Sequence, residues 1–214
     1  LCPPGDSVCV TLTFRRCVFD GNRAAGMLMT SGRGVDIQGC TFSHTLGQST
    51  APPDTIPYRP PCMGLRLETR FASFDAEFAA WTAADTMEDV RISGCTFADN
   101  ATGLEVSTDG GAPGWTPTDD LTRRGAISHV TIENNTFRDN HAHGRAWLDA
   151  NEHRAGLRFW GFPRECVARG NTITRSGRYG IQVLSSRSLS LVDNLITATG
   201  IDSPRVAASI FLSG

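Results

Sequence analysis

VRISGCTFADNATGLEVS, residues 90–107, reduces to V-x-I-x-x-C-x-F-x-x-N-x-x-G-L-x-V, and the same frame recurs along the chain. Leu12 opens LTFRRCVFDGNRAAGMLM, and Val35 opens VDIQGCTFSHT, with GLRLET following after an insertion. Val130 opens VTIENNTFRDN, with GLRFWG after a second insertion. Cys166 opens CVARGNTITRSGRYGIQVLS, and Leu189 opens LSLVDNLITATG. The slot of Cys95 is filled elsewhere by Cys17, Cys40, Asn135, Asn171 and Asn194. The slot of Phe97 holds Phe19, Phe42, Phe137, Ile173 and Ile196. A frame that returns this often is an internal repeat, and a repeat decides architecture before local propensity does.

Each repeat alternates apolar and polar residues with period two and shows no helical period. Successive slots lie 23, 55, 40, 36 and 23 residues apart. The shortest interval is one coil of short strands, and the longer ones are the same coil with loops inserted. Strands this short cannot bury an apolar face alone, so the coils must stack. The expected fold is all-β: a right-handed parallel β-helix of about six coils, forming one domain over residues 1–214.

The frame is similar to that of the pectin-lyase-like right-handed β-helix superfamily, over roughly residues 8–213. The resemblance implies that the Asn slot faces the interior and bonds from coil to coil. The superfamily includes lyases, hydrolases, epimerases, adhesins and phage tailspikes, so the fold alone does not select a function. Within it, FDGNRAAGMLMTSGRGVDIQGCTFSHT, residues 19–45, resembles the F-x-N-N-R-A-R-G-x-L-x-x-T-x-G-x-V-x-I-E-N-x-F pattern of glycoside hydrolase family 110, the inverting α-1,3-galactosidases. That resemblance implies hydrolysis of a galactose-containing or similar glycan. The family's Gly-Asp and Trp-Phe-Glu-Ser run has no counterpart in ETRFASFDAEFAAWTAAD, residues 68–85, so no catalytic Asp carries over.

Composition narrows the partners. The formal net charge is −2, and all 20 basic residues are Arg. This balance disfavours a general nucleic-acid or anionic-membrane binder, and no apolar run approaches the ~20 residues of a membrane span. Leu1 is not an initiator Met, and the terminal SIFLSG reads as one more groove strand, so the chain is expected to be a segment of a longer protein. An extracellular or cell-surface location is the expectation. The seven cysteines lack zinc-site spacing. They read as small buried residues, although Cys17 and Cys40, one coil apart, are within disulfide reach, and Cys2 and Cys9 flank a turn. No cofactor and no metal are expected.

Aligning the glycines of GMLMTS, GLRLET, GLEVST, GLRFWG and GIQVLS places two rows on the outer face of the groove strands. One row is Leu28, Arg66, Glu105, Arg158, Gln182; the other is Thr30, Glu68, Ser107, Trp160, Leu184. Guanidinium donors, carboxylates and an aromatic face are what an oligo- or polysaccharide requires. Glu68 and Glu105 are the expected acid/base pair, on a backbone diagonal of roughly 8 Å, within the ~6.5–9.5 Å of inverting glycosidases. Asp109 and Asp120 are reserves. Arg66, Arg158, Gln182, Trp160 and Trp115 are the expected substrate-binding residues. An Arg–Glu–Arg row is also favourable as a plain cross-strand charge ladder.

Glycoside hydrolysis by two carboxylates is thus the leading reading. A non-catalytic glycan-binding or adhesin module is the first alternative, and a polysaccharide lyase using Arg158 the second. Three further expectations concern the insertions. The aromatics of residues 70–89 are spaced for a short helix. The Pro-rich residues 46–62 leave the coil. His141, His143 and His153 share a loop with Asp149 and Glu152.

Overall fold

The computed structural model describes residues 10–22, 25–45, 62–69, 74–75, 80–81, 86–108, 126–141, 154–161, 163–184, 186–202 and 208–213. The strands run in three six-stranded sheets, and within each sheet every neighbouring pair is parallel and one coil apart. The first sheet is Val10–Arg15, Gly32–Gln38, Thr86–Ser93, Ala126–Glu133, Arg164–Arg169 and Arg187–Val192. The second holds the short strands Val18–Asp20, Thr41–Ser43, Thr96–Ala98, Thr136–Arg138, Thr172–Thr174 and Leu195–Thr197. The third holds the groove strands Ala25–Met29, Met63–Thr69, Thr102–Thr108, Ala155–Trp160, Tyr179–Leu184 and Ala208–Ser213. Six coils of a parallel β-helix result, as the repeat predicts.

The corner between the first and second sheets explains the x-x-C/N part of the frame. The residue before each slot is left-handed: Arg16, Gly39, Gly94, Asn134, Gly170 and Asp193 have φ of 54°, 59°, 59°, 54°, 59° and 51°. Gly, Asn and Asp tolerate that conformation best, hence their recurrence. The corner turns the slot side chain into the interior. There Asn135 Oδ1 accepts from Cys95 N at 2.8 Å, while its Nδ2 donates to Ile92 O at 3.0 Å. Asn171 and Asn194 repeat this pattern.

The cysteines occupy the same ladder. Cys40 Sγ accepts from Cys17 N at 3.4 Å and donates to Phe14 O at 3.6 Å; Cys95 Sγ accepts from Cys40 N at 3.3 Å and donates to Ile37 O at 3.6 Å. Each thiol therefore makes a weaker version of the two Asn bonds, to the backbone of the coil before it. Cys17 and Cys40 are free, so the disulfide considered from their spacing is not formed; Cys2 and Cys9 lie outside the described residues. Burial pushes the Cys95 thiol up to about 11 and the Cys166 thiol up to about 12, which keeps both protonated and inert.

Phe19, Phe42, Phe97 and Phe137 stack through the core at centroid distances of 4.8, 5.0 and 4.7 Å, one coil per ring. A second amide ladder, absent from the sequence reading, runs along the next corner. Asn100 Nδ2 donates to Phe42 O and Asn140 Nδ2 to Phe97 O.

The expected helix over residues 70–89 is replaced, among the described residues, by an antiparallel pair of Phe74–Asp75 with Ala80–Trp81, in which Phe74 opposes Trp81. A seven-residue separation fits two helical turns and equally the two sides of a tight hairpin, so aromatic spacing alone does not separate them. The Pro-rich stretch 46–61 lies outside the described residues.

Candidate functional site

The groove strands carry the candidate site, and their register is the one the glycine alignment predicts. Leu28 opposes Arg66, Arg66 opposes Glu105, Glu105 opposes Arg158, and Arg158 opposes Gln182. In the second row Glu68 opposes Ser107, Ser107 opposes Trp160, and Trp160 opposes Leu184. Leu65, Leu67, Leu104, Val106, Leu157, Phe159, Ile181 and Val183 alternate with these and fill the core.

The register is tight because the strands approach closely at the glycines. A Cβ on Gly64 would lie 2.7 Å from Gly103 O, one on Gly103 2.5 Å from Gly156 O, and one on Gly180 2.6 Å from Ser209 O. Glycine thus recurs in each of the first five groove strands, with Ser209 in its place in the sixth, and it fixes which side chains share a row.

The charged side chains converge. Arg66 Nε lies 3.3 Å from Glu68 Oε2 and 3.1 Å from Glu105 Oε1. Arg158 Nη1 donates to Glu105 Oε2 at 2.8 Å, and its guanidinium carbon sits 4.6 Å from the centroid of the Trp160 ring. Glu105 is therefore gripped by a guanidinium from the coil on either side, one on each oxygen. The Arg158 contact is a charge-assisted hydrogen bond, about twice as strong as a neutral one, whereas the Arg66 contact is an ion pair without hydrogen-bond geometry.

Two expectations change. First, the row faces away from the core but is not exposed: Glu105 and Gln182 are 0% exposed and Arg158 2%, with Arg66, Glu68 and Ser107 also buried. Leu28, at the first coil, is open to solvent, at 49%, and Thr30, Trp160 and Leu184 of the second row are half-buried. Alternation dictates which side of a strand a residue takes, but not whether that side is covered. Second, Glu68 and Glu105 are nearer than the backbone diagonal suggests. Both carboxylates bend onto one nitrogen, at 3.3 and 3.1 Å, so the two oxygens are separated by no more than those lengths together.

Asp109, Trp115, Asp119 and Asp120 lie outside the described residues, as do His143, Asp149, Glu152 and His153. His141 is described. Its Nδ1 is 3.3 Å from Asp202 Oδ1, and Arg154 Nη1 is 3.6 Å from Asp202 Oδ2. This cluster sits at the corner leading into the third sheet. The sequence reading missed Arg154 and Asp202; the only sequence signal is that both flank groove strands. Among the described residues, no group of three or more His, Cys, Asp or Glu is placed to hold a metal.

Three further polar atoms stand out on the groove face, on Ser107 and on the expected substrate-binding residue Gln182. The Oγ of Ser107 and both polar atoms of the Gln182 amide are buried without a hydrogen-bond partner. Such orphans are uncommon and costly, at about 1–3 kcal/mol each.

A family model described as the right handed beta helix region matches residues 83–196, more than half of the chain. No curated protein and no solved structure matches. The resemblance to the α-1,3-galactosidase family stands on the quoted sequence run alone.

Proposed function

The chain belongs to the right-handed β-helix family, and from that premise we propose that it is a carbohydrate-active β-helix protein whose third sheet binds a glycan along its outer row. One observation carries the reading: Arg66, Glu105 and Arg158 form a continuous ion-paired row beside Trp160 on strands of consecutive coils. Neighbouring strands repeat every ~4.8 Å, so the row sets polar groups at regular steps along the sheet, a spacing that suits an extended chain of sugar rings. Arg158 lies against the Trp160 ring, so a guanidinium and an aromatic surface stand side by side at the end of the row. The partner is an oligo- or polysaccharide met at the cell surface or outside the cell.

Glycan recognition is the activity this geometry supports best. The carboxylates are held by guanidiniums, and a held carboxylate orients hydroxyl groups well. Hydrolysis is a second reading, favoured by the meeting of Glu68 and Glu105 on Arg66. Glu105 carries both guanidiniums, whereas Glu68 meets Arg66 through a longer 3.3 Å contact, so Glu68 is the carboxylate to act as acid or base. An inverting reaction would require Arg66 to withdraw and admit a water between the pair. The lyase reading is disfavoured by the commitment of Arg158 to Glu105 and Trp160.

The test is a glycan array read for retention and, by mass spectrometry, for released sugar. Wild-type protein is expected to retain glycans, and Trp160→Ala to lose at least about tenfold in affinity, the equivalent of ~1.4 kcal/mol. Release of a monosaccharide that stops in Glu68→Gln while retention persists would support hydrolysis. Retention unaffected by Trp160→Ala, or no retention at all, contradicts the proposed site.

A further inference from the structure

We infer that the groove of the third sheet selects an uncharged sugar chain, held through its hydroxyl groups by Gln182 and Ser107, over a uronic or sulfated one; this rests on the glycan-binding reading above. The described charges of the groove face cancel. Arg66 is paired with Glu68 and Glu105, and Arg158 with Glu105. Two guanidiniums thus face two carboxylates, and among the described residues of the two rows no cation is left over for an incoming acidic group. A carboxylate or sulfate brought beside the fully buried Glu105 would be a second buried anion, and an uncompensated buried charge is among the costliest arrangements in a protein.

The spare hydrogen-bonding capacity is of the opposite kind. Gln182 Oε1, Gln182 Nε2 and Ser107 Oγ are buried and without a partner, and their residues are 0% exposed. An amide offers one acceptor and two donor hydrogens side by side, and a hydroxyl both gives and takes. Vicinal hydroxyls of a neutral ring satisfy that amide in both directions at once. An acidic group offers acceptors only and would leave Gln182 Oε1 unsatisfied.

Position adds the length of the ligand. Ser107 and Gln182 lie two coils and two residues apart, roughly 12 Å along the diagonal, and the Arg158–Trp160 pair lies between them. One ring cannot reach both, so the ligand is an oligosaccharide.

Gln182 gives a test that a structural role would not pass. Leucine has a similar volume and no polar atoms, so Gln182→Leu removes an unsatisfied amide from the unliganded protein. The melting temperature should rise while affinity for neutral oligosaccharides falls at least about tenfold. A structural Gln with hidden partners would lower both. The accompanying measurement needs no variant: wild-type protein is titrated on matched neutral, uronic and sulfated oligosaccharides of equal length. Neutral chains bound at least about tenfold tighter, together with the split behaviour of Gln182→Leu, support the inference. Tighter binding of the acidic chains, or a lowered melting temperature in Gln182→Leu, overturns it and leaves the glycan site standing. No binding to any of the three overturns the site and the inference together.

Discussion

Glu133 shows how a single residue couples this surface to pH. Its carboxylate takes Arg169 Nε at 2.8 Å and Arg91 Nε at 2.6 Å. The Arg169 guanidinium, followed by Arg91, holds the carboxyl below its usual 4.5 despite opposing desolvation. A lowered folded-state value means that the stabilisation is present above the unfolded value and is lost as pH falls through the folded one. Glu133→Gln should therefore be less stable than wild type near neutral pH, and the gap should close below about pH 4.5. Denaturant titrations at several pH values check this; a gap independent of pH would contradict it. At the same scale, the sequence revealed the interior slot but not its chemistry. Cys40 and Cys95 were read as small apolar residues because burial is all that composition suggests for a thiol. In fact each sulfur takes both bonds of the neighbouring asparagines, a role legible only from the shared slot.

At the scale of the element, the groove strand is defined by its glycine as much as by its apolar alternation. Gly103 is enclosed: a Cβ there would meet Gly156 O at 2.5 Å and Phe137 Cδ1 at 2.8 Å. Both neighbours belong to the packed stack and cannot withdraw. Gly103→Ala should cost several kcal/mol, at or beyond the ~1–3 kcal/mol typical of overpacking. Gly94→Ala, with nothing within 4 Å but φ of 59°, should cost only the ~1–2 kcal/mol of a left-handed residue. Thermal or chemical unfolding of the two variants compares them, and equal losses would mean that the close approach of coils is not what fixes the glycine. The row register followed from these glycines and was legible in the sequence. The hairpin of Phe74 and Trp81 was not, because its aromatic spacing has two solutions. The burial of Glu105 and Arg158 was not legible either, because a repeat frame describes one strand's two sides and carries nothing about what lies over them.

At the scale of the whole molecule, six coils turn one short frame into three continuous sheets. The inner rows bind the coils together through Phe stacking and amide ladders. The outer row of the third sheet gathers groups that no single coil possesses: Arg66, Glu105 and Arg158 come from three successive coils. The orphaned amide and hydroxyl beside the charge row are what favours the proposed recognition surface over a ladder built only for stability. The most direct measurement is a crystal structure with an oligosaccharide taken from the array. The account predicts sugar density along the outer row of the third sheet, against Trp160 and in hydrogen-bond contact with the amide of Gln182. Density on the first or second sheet, with the Arg66–Glu105–Arg158 row untouched, would contradict it.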